Sequence, residues 1–227
     1  SSVKLAEQAR REFLRDNPDT DREPLIAASI GPFGAALHDA SEYTGQYGVT
    51  GAELHEFHSD RLELLDASEP DLLACETIPS YEEAQVLAEL LSNTKSPAWI
   101  SFSCRDEGHI SDGTPIADVA SLFAGHPRVL AVGVNCLAPE LILPIIATLK
   151  SAAADKAIVV YPNSGETYNV DDNSWSGNVT GLQCQRSVQA WIEAGARLVG
   201  GCCRIGPSQI AAMAQCDALT AERFQYE

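Results

Sequence analysis

The sequence predicts an α/β fold built on a parallel sheet, in the form of a (β/α)8 TIM barrel. Short apolar runs alternate with helical patterns, as expected for a parallel sheet with crossover helices. Polar and thiol side chains follow several of these runs, and in a barrel the functional residues lie just beyond the carboxyl ends of the strands. The residues in such positions are Glu76, Cys104, Cys136, Asn163, Cys202 and Cys203. A doubly wound dinucleotide-binding sheet is the alternative, but no G-x-G-x-x-G motif follows the first strand.

Six strands are predicted, each from a short apolar run that is followed by a helical pattern. They are Leu25–Ser29, Leu72–Cys75, Ala98–Ser103, Val129–Val134, Ala157–Tyr161 and Leu198–Gly201. The helices are indicated by their first residues: Thr50–Glu53 and Ser80–Glu83 both have the Ser/Thr-x-x-Glu pattern of a capping box. The chain is therefore expected to contain six βα units.

Six units do not close an eight-stranded barrel. The chain also begins with a helical pattern, in which Leu5, Ala9 and Phe13 are helically spaced before any strand. We therefore expect residues 1–227 to form a single domain that lacks the first two strands of the barrel. Because such a sheet has two unpaired edges, we expect this segment to be poorly stable by itself.

Composition excludes several classes of protein. With 227 residues, of which 45% are hydrophobic and 21% are charged, the chain fits one soluble globular domain. A net charge of −17 argues against binding to nucleic acid, and no apolar run reaches membrane-spanning length. The start of the chain lacks signal-peptide features, and seven cysteines without a dense framework are typical of a reducing compartment. We expect a cytoplasmic protein.

The cysteines near two strand ends suggest a metal site. An apolar run leads to Gly200 and Gly201 and then to Cys202 and Cys203, and a similar run ends at Cys136. Three thiolates leave one position of a tetrahedral zinc open, where a substrate thiol would be held deprotonated. Spacing alone leaves other interpretations open, since adjacent cysteines can also be small buried residues or form a disulfide.

Five motifs in order resemble the homocysteine S-methyltransferase family, across nearly the whole chain. They are Ala27–Gly34, Ala74–Pro79, Gly133–Cys136, Tyr161–Glu166 and Gly200–Arg204. The resemblance is nearest to the branch that uses S-methylmethionine or S-adenosylmethionine as methyl donor. One departure is that the Asp-Gly motif at the end of the family's first strand is not present in this sequence.

The resemblance implies a zinc-dependent barrel enzyme that methylates L-homocysteine to methionine. Cys136, Cys202 and Cys203 match the family's zinc ligands, and Glu76 matches the carboxylate that holds the substrate's ammonium group. Asn135, next to the first ligand, is assigned to substrate binding. The alternatives are a selenocysteine methyltransferase of the same family, a phosphate-binding barrel enzyme, and a non-catalytic amino-acid-binding protein.

Other reactive side chains are given structural interpretations. His55–His58 is not an H-E-x-x-H motif, and we expect it to lie on an exposed helix face. Cys184 and Cys216 fall in helical patterns and are interpreted as packing residues. Tyr43 and Tyr47, in the loop after the first strand, either face a sulfonium through a cation–π contact or cover the surface.

Overall fold

The computed structural model describes residues 2–20, 23–169, 174–176 and 181–216. Its strands in chain order are β1 (Ala27–Ile30), β2 (Leu72–Ile78), β3 (Ala98–Phe102), β4 (Val129–Asn135), β5 (Ala157–Tyr161), β6 (Thr167–Asn169), β7 (Ser174–Ser176) and β8 (Leu198–Val199). Six of them form one parallel sheet in the order β1-β2-β3-β4-β5-β8, while β6 and β7 form a small antiparallel hairpin. All six predicted strands are therefore present.

The largest difference in strand boundaries lies in β2. This strand continues beyond the predicted Cys75 to Ile78, and its pairing with β3 shifts register between these two residues. The irregular stretch contains Glu76 and Thr77, so the polar residues lie within the strand rather than after it. A local irregularity of this kind re-aims side chains and often accompanies functional sites.

The helices pack around the sheet. They are α1 (Ser2–Asp16), α2 (Phe33–Leu37), α3 (Gly51–Asp66), α4 (Tyr81–Leu91), α5 (Ile116–Ser121), α6 (Ile142–Ala152), α7 (Gly181–Ala194) and α8 (Pro207–Met213), with short 3-10 turns at Ser41–Tyr43 and Pro139–Leu141. The predicted opening helix is thus present, although Leu5 and Phe13 are exposed and its buried residue is Val3. Within the described ranges, no helix is long and apolar enough to cross a membrane.

The two faces of the sheet differ. One face packs against the helices and forms a core in which Ile100, Phe102 and Leu87 are completely buried. The other face borders an open, apolar cavity of about 440 Å³, where Leu25 and Leu130 are 72% and 60% exposed. Among the described residues, β1 and β8 each pair with a single strand. The fold is thus an α/β half-barrel, and the part of the prediction that concerns six parallel βα units is confirmed.

Candidate active site

Three cysteine sulfurs meet at the carboxyl edge of the sheet. Cys136 directly follows β4, and two glycines separate β8 from Cys202 and Cys203. The three sulfur atoms lie within 4.8 Å of one another, and the Sγ atoms of Cys136 and Cys203 are 3.7 Å apart. We call these three residues the sulfur cluster.

The spacing of the sulfur cluster fits a metal better than a disulfide. A disulfide bond is about 2.05 Å long, whereas zinc–sulfur bonds of about 2.3 Å in tetrahedral geometry place two thiolate sulfurs about 3.8 Å apart. All three cysteines are free thiols; Cys136 and Cys202 are half-buried, and Cys203 is exposed. The sulfur cluster is therefore open to a ligand and has the donor set that zinc prefers.

The backbone at the end of β5 fixes the positions of two of the cysteines. The N–H groups of Cys136 and Cys202 donate to the carbonyl oxygens of Tyr161 and Pro162, at 3.2 and 2.8 Å. These bonds tie the end of β4 and the end of β8 to the same short stretch of backbone. The relative position of two of the sulfurs is thus set by main-chain contacts.

The turn that carries Cys202 and Cys203 needs a glycine. A Cβ atom added at Gly201 would lie 2.2 Å from Cγ2 of Ile205, so the chain folds back too closely for a side chain there. Arg204 adopts the left-handed conformation with φ of 67°, and its Nε donates to Oε2 of Glu166 at 2.8 Å. The ion pair helps to hold a backbone conformation that is otherwise unfavourable.

The three thiols differ in acidity because they share hydrogen bonds. The hydrogen bond from Cys136 lowers the pKa of Cys202 to about 6. The same contact and burial raise the pKa of Cys136, and burial raises the pKa of Cys203. The metal-free sulfur cluster therefore releases its first proton more readily than an isolated thiol does.

Glu76 is held by two hydroxyl groups beside the sulfur cluster. Its Oε1 accepts from Ser29 Oγ at 2.5 Å, and its Oε2 accepts from the Tyr161 hydroxyl at 3.0 Å. Trp99 Nε1 donates to that hydroxyl at 3.1 Å, and burial and the charge of Glu76 raise the pKa of Tyr161. Tyr161 therefore remains a protonated donor, and the half-buried carboxylate of Glu76 has a fixed orientation.

Asn135 connects the Glu76 strand to the sulfur cluster. Its side chain is almost completely buried; Oδ1 accepts from Thr77 N and Ser101 Oγ, both at 2.8 Å, and Nδ2 donates to Thr77 Oγ1 at 2.7 Å. A further hydrogen bond from Asn135 contributes to the lowered pKa of Cys202. Thr77 has φ of 63°, which is rare for a β-branched residue, so Asn135 pins a strained residue next to Glu76.

Two residues that support Glu76 were not identified from the sequence. Ser29 and Tyr161 lie in β1 and at the end of β5, in the same kind of position that pointed to Glu76. Serine and tyrosine are common in such places without a functional role, so the strand-end position alone did not single them out. Their role depends on contacts across the curled sheet: Ser29 lies on the strand next to β2, and Tyr161 on a strand that is not adjacent to it.

One sequence interpretation was wrong. His55 is exposed as expected, but His58 is completely buried, and its Nε2 lies 2.7 Å from Oε1 of the buried Glu83. The buried residues of α3 are Leu54, His58 and Leu62, so His58 belongs to the buried stripe of the helix and His55 lies outside it. The packing interpretation of Cys184 and Cys216 is confirmed, since both are buried.

The remaining candidates are distributed as follows. Cys75 is completely buried in the core, and neither it nor Cys104 belongs to the sulfur cluster. Tyr47 donates to the buried Glu83, and Tyr43 neighbours Cys136. The site combines a three-thiol cluster and a fixed carboxylate at the carboxyl edge of a parallel α/β half-barrel. These are the features of barrel proteins that bind a metal or a small ligand at the mouth of the barrel.

Comparison with known proteins identifies the family. The model of the homocysteine S-methyltransferase family matches residues 1–216. Homocysteine S-methyltransferase YbgG of Bacillus subtilis is 46% identical over 212 residues, covering 92% of this chain and 67% of the relative. The homocysteine S-methyltransferase of Escherichia coli is 44% identical over 216 residues, covering 93% and 68%. The chain belongs to the homocysteine S-methyltransferase family, whose reaction is methyl transfer to homocysteine, and it spans about two thirds of the length of these relatives.

Solved structures agree with this assignment. The metallated form of the E. coli homocysteine methyltransferase MmuM is 41% identical, with a TM-score of 0.80, over 97% of this chain and 68% of that one.

A relative from Drosophila melanogaster is named betaine-homocysteine S-methyltransferase. It is 39% identical over 227 residues, which cover 93% of this chain and 68% of the relative. The name of this relative specifies betaine as the methyl donor, whereas the names of the Bacillus subtilis and Escherichia coli relatives specify none.

Proposed function

We propose that the full-length protein transfers a methyl group from S-methylmethionine or S-adenosylmethionine to the thiol of L-homocysteine, with Zn²⁺ held by Cys136, Cys202 and Cys203. The observation that carries this proposal is the convergence of three sulfurs within 4.8 Å, at the same edge of the sheet as the fixed carboxylate of Glu76. A phosphate-binding barrel would leave the sulfur cluster without a role. A metallated form of MmuM supports the presence of a metal in the family.

The donor set favours zinc as the metal. Thiolates are soft ligands, and three of them with one open position match a zinc site that accepts a substrate. When bound, Zn²⁺ acts as a Lewis acid that keeps a coordinated substrate thiol deprotonated at neutral pH. Asn135, which neighbours Cys202 and lowers its pKa, would orient one of the ligand sulfurs.

Glu76 is the group that we expect to bind the ammonium of homocysteine. Its carboxylate is half-buried, and the hydroxyl groups of Ser29 and Tyr161 hold one lone pair on each oxygen. The remaining lone pairs are available to a cationic donor. An ammonium bound there would lie at the same edge of the sheet as the sulfur cluster, so the substrate is held at both ends.

Asn135 has less freedom to contact the substrate directly. Its amide is almost fully used by Thr77, Ser101 and Cys202. We propose that its contribution to substrate binding consists of fixing Thr77, and hence Glu76, relative to Cys202.

The chemistry at this site requires no acid or base from the protein in the methyl-transfer step. The homocysteine sulfur forms a bond to the methyl carbon while the bond between that carbon and the donor's sulfonium sulfur breaks. The electron pair of the broken bond stays on the departing sulfur, which leaves as a neutral thioether. The residues of the site therefore act by holding the two reactants in line, and such positioning accounts for large rate gains. With S-methylmethionine, both products are methionine.

Two further features complete the proposal. The open apolar face, where Leu25 and Leu130 are exposed, supports a full-length (β/α)8 barrel in which two more strands cover this face. Ligand thiols must stay reduced, and all the described cysteines are free, so we propose the cytoplasm as the compartment.

Zinc analysis combined with a panel of methyl donors tests the proposed function. Purified full-length protein is expected to contain one zinc per chain and to form methionine from homocysteine with a sulfonium donor, but not with betaine. Selenocysteine belongs in the same panel as an alternative acceptor. Full activity after complete removal of metal would contradict the proposal.

A further inference from the structure

Glu83 is the only completely buried carboxylate among the described residues. Its Oε1 accepts from the N–H of Phe33 at 2.6 Å and lies 2.7 Å from Nε2 of His58, and its Oε2 accepts from the Tyr47 hydroxyl at 2.8 Å. Burying a carboxylate is costly unless several donors surround it. The three partners of Glu83 offset this cost and hold its carboxylate in one position.

The partners of Glu83 mark the two ends of one loop. Phe33 and Tyr47 lie at the start and the end of residues 33–47, which follow β1, and their rings pack at a centroid distance of 5.4 Å. A Cβ atom at Gly34 would lie 2.5 Å from the backbone N of Glu42, so the loop is closed upon itself. The carboxylate thus fastens both ends of this loop to α4, and through His58 to α3.

This loop extends over the mouth of the half-barrel. The carbonyl oxygen of Glu42 accepts from Ser103 Oγ at 3.5 Å, just after β3. A Cβ atom at Gly45 would lie 2.8 Å from the carbonyl oxygen of Pro79, just after β2. The residues on both sides of Tyr43 therefore rest on the carboxyl ends of two strands.

Tyr43 reaches the sulfur cluster from this loop. It is 51% exposed, and its phenol group neighbours Cys136 and Cys203. A phenol is protonated at neutral pH and can donate a hydrogen bond to a thiolate. A hydrogen bond to a metal-binding sulfur orients that ligand and tunes its basicity.

We propose that Glu83 is a positioning residue of the methyl-transfer site: by holding Phe33 and Tyr47, it sets the hydroxyl of Tyr43 against the sulfur of Cys136. The inference rests on the proposed function for its purpose, but the arrangement itself concerns only residues of this chain. Glu83 touches neither the sulfur cluster nor Glu76 in any described contact, so its effect must pass through the loop.

A double-mutant cycle on the full-length protein tests this coupling, with zinc affinity measured by competition with a chelator. Loss of an outer hydrogen bond to a ligand weakens metal binding by about 10-fold or more, and we expect this for both Tyr43→Phe and Glu83→Ala. Since Glu83 acts through Tyr43, the zinc affinity of the double variant should equal that of the single variant with the lower affinity. Unchanged affinity in Glu83→Ala, or losses that multiply in the double variant, would overturn the proposal.

Asp66→Ala provides the matched control. Asp66 also joins α3 to another segment, since its carboxylate accepts from the N–H groups of Lys95 and Ser96 at 2.9 and 2.8 Å, but this contact lies before β3, at the opposite end of the sheet. We expect Asp66→Ala to lower thermal stability and leave zinc affinity unchanged. If Glu83→Ala does not fold, Tyr47→Phe removes one contact only and should weaken zinc binding in the same direction, by less; no change would count against the proposal.

A second readout separates this inference from the proposed function. In metal-free protein, the alkylation rate of Cys136, followed by peptide mapping, should change in the same direction and to the same extent in Glu83→Ala and in Tyr43→Phe, because both variants remove the Tyr43 hydroxyl from the neighbourhood of this sulfur. This readout needs neither zinc nor methyl transfer. A protein that transfers no methyl group but shows the coupled alkylation rates would reject the proposed function and retain the role of Glu83.

Discussion

The sulfur cluster and the Glu76 network lie at the same edge of the sheet, but the protein holds them in different ways. Glu76 lies inside β2, and side chains from β1 and β5 fix its carboxylate, so its geometry is complete without a ligand. The three cysteines lie on turns after β4 and β8, and their acidities depend on one another. The strands therefore preorganise the carboxylate of Glu76, whereas the sulfur cluster needs a bound metal to complete its geometry.

Backbone strain is present on both sides of the site. Thr77, Cys136 and Arg204 all adopt left-handed conformations, and each has a specific partner that holds it. Strain of about 1–3 kcal/mol per residue persists only where the surroundings determine the conformation. Backbone strain at the carboxyl edge of the sheet is therefore tolerated because it sets the orientation of these three residues.

Replacing any sulfur ligand should have the largest effect. Serine at Cys136, Cys202 or Cys203 has a hydroxyl whose pKa is too high to replace a thiolate, so zinc content and methyl transfer should fall together by orders of magnitude. Metal analysis and a methionine-formation assay measure both. Cys184→Ser is the control, because this buried cysteine packs against the core away from the sulfur cluster and should keep both properties.

Removing the charge of Glu76 should have the next largest effect, and on one property only. Glu76→Gln keeps the size but leaves the substrate's ammonium without its partner, which costs about 2–5 kcal/mol, or at least about 30-fold in affinity. Calorimetric titration with homocysteine measures this loss, and zinc content should remain normal. Retained homocysteine affinity would assign Glu76 to a structural role.

Tyr161→Phe should have a smaller effect in the same direction. It removes one hydroxyl donor from Glu76, and a hydrogen bond to a charged group contributes about 1.5–3 kcal/mol, so we expect KM for homocysteine to rise by about 10-fold. Because the sulfur cluster keeps its ligands, kcat should change less than KM. A fall in kcat at constant KM would show that Tyr161 serves the sulfur side instead.

The smallest effect concerns the acidity of the metal-free sulfur cluster. The lowered pKa of Cys202, about 6, predicts that this cysteine is alkylated first and that its rate falls as the pH drops through 6. Because the folded-state pKa is below the unfolded value, ionisation of Cys202 contributes stability at high pH that is lost as the pH falls through the folded pKa. Peptide-mapped alkylation from pH 5 to 9 would detect a different order of reactivity.

The sequence predicted the framework because parallel strands and their helices leave local patterns. Six strands and the cysteines beside their ends could be found from apolar runs and neighbouring residues. The contacts of Glu76 could not, since Ser29 and Tyr161 belong to strands far apart in the chain. Only the curvature of the sheet and the order of its strands bring them together.

Two capping-box patterns show the limit of local reasoning. At Thr50–Glu53 both reciprocal hydrogen bonds form, as the pattern predicts. At Ser80–Glu83 only the Ser80 half forms, because the carboxylate of Glu83 turns inward to His58 and the loop after β1. The same four-residue pattern thus leads to an exposed cap in one helix and a buried anchor in the other, and tertiary packing decides between them.

X-ray absorption spectroscopy of the zinc-loaded full-length protein tests the central claim most directly. We expect three sulfur ligands in the absence of substrate and four when homocysteine is bound, at zinc–sulfur distances of about 2.3 Å. The spectrum of a Cys203→Ser variant, if it retains any zinc, should show one sulfur fewer in each state. A coordination shell that does not change on addition of homocysteine would contradict the claim that the substrate sulfur binds at the sulfur cluster.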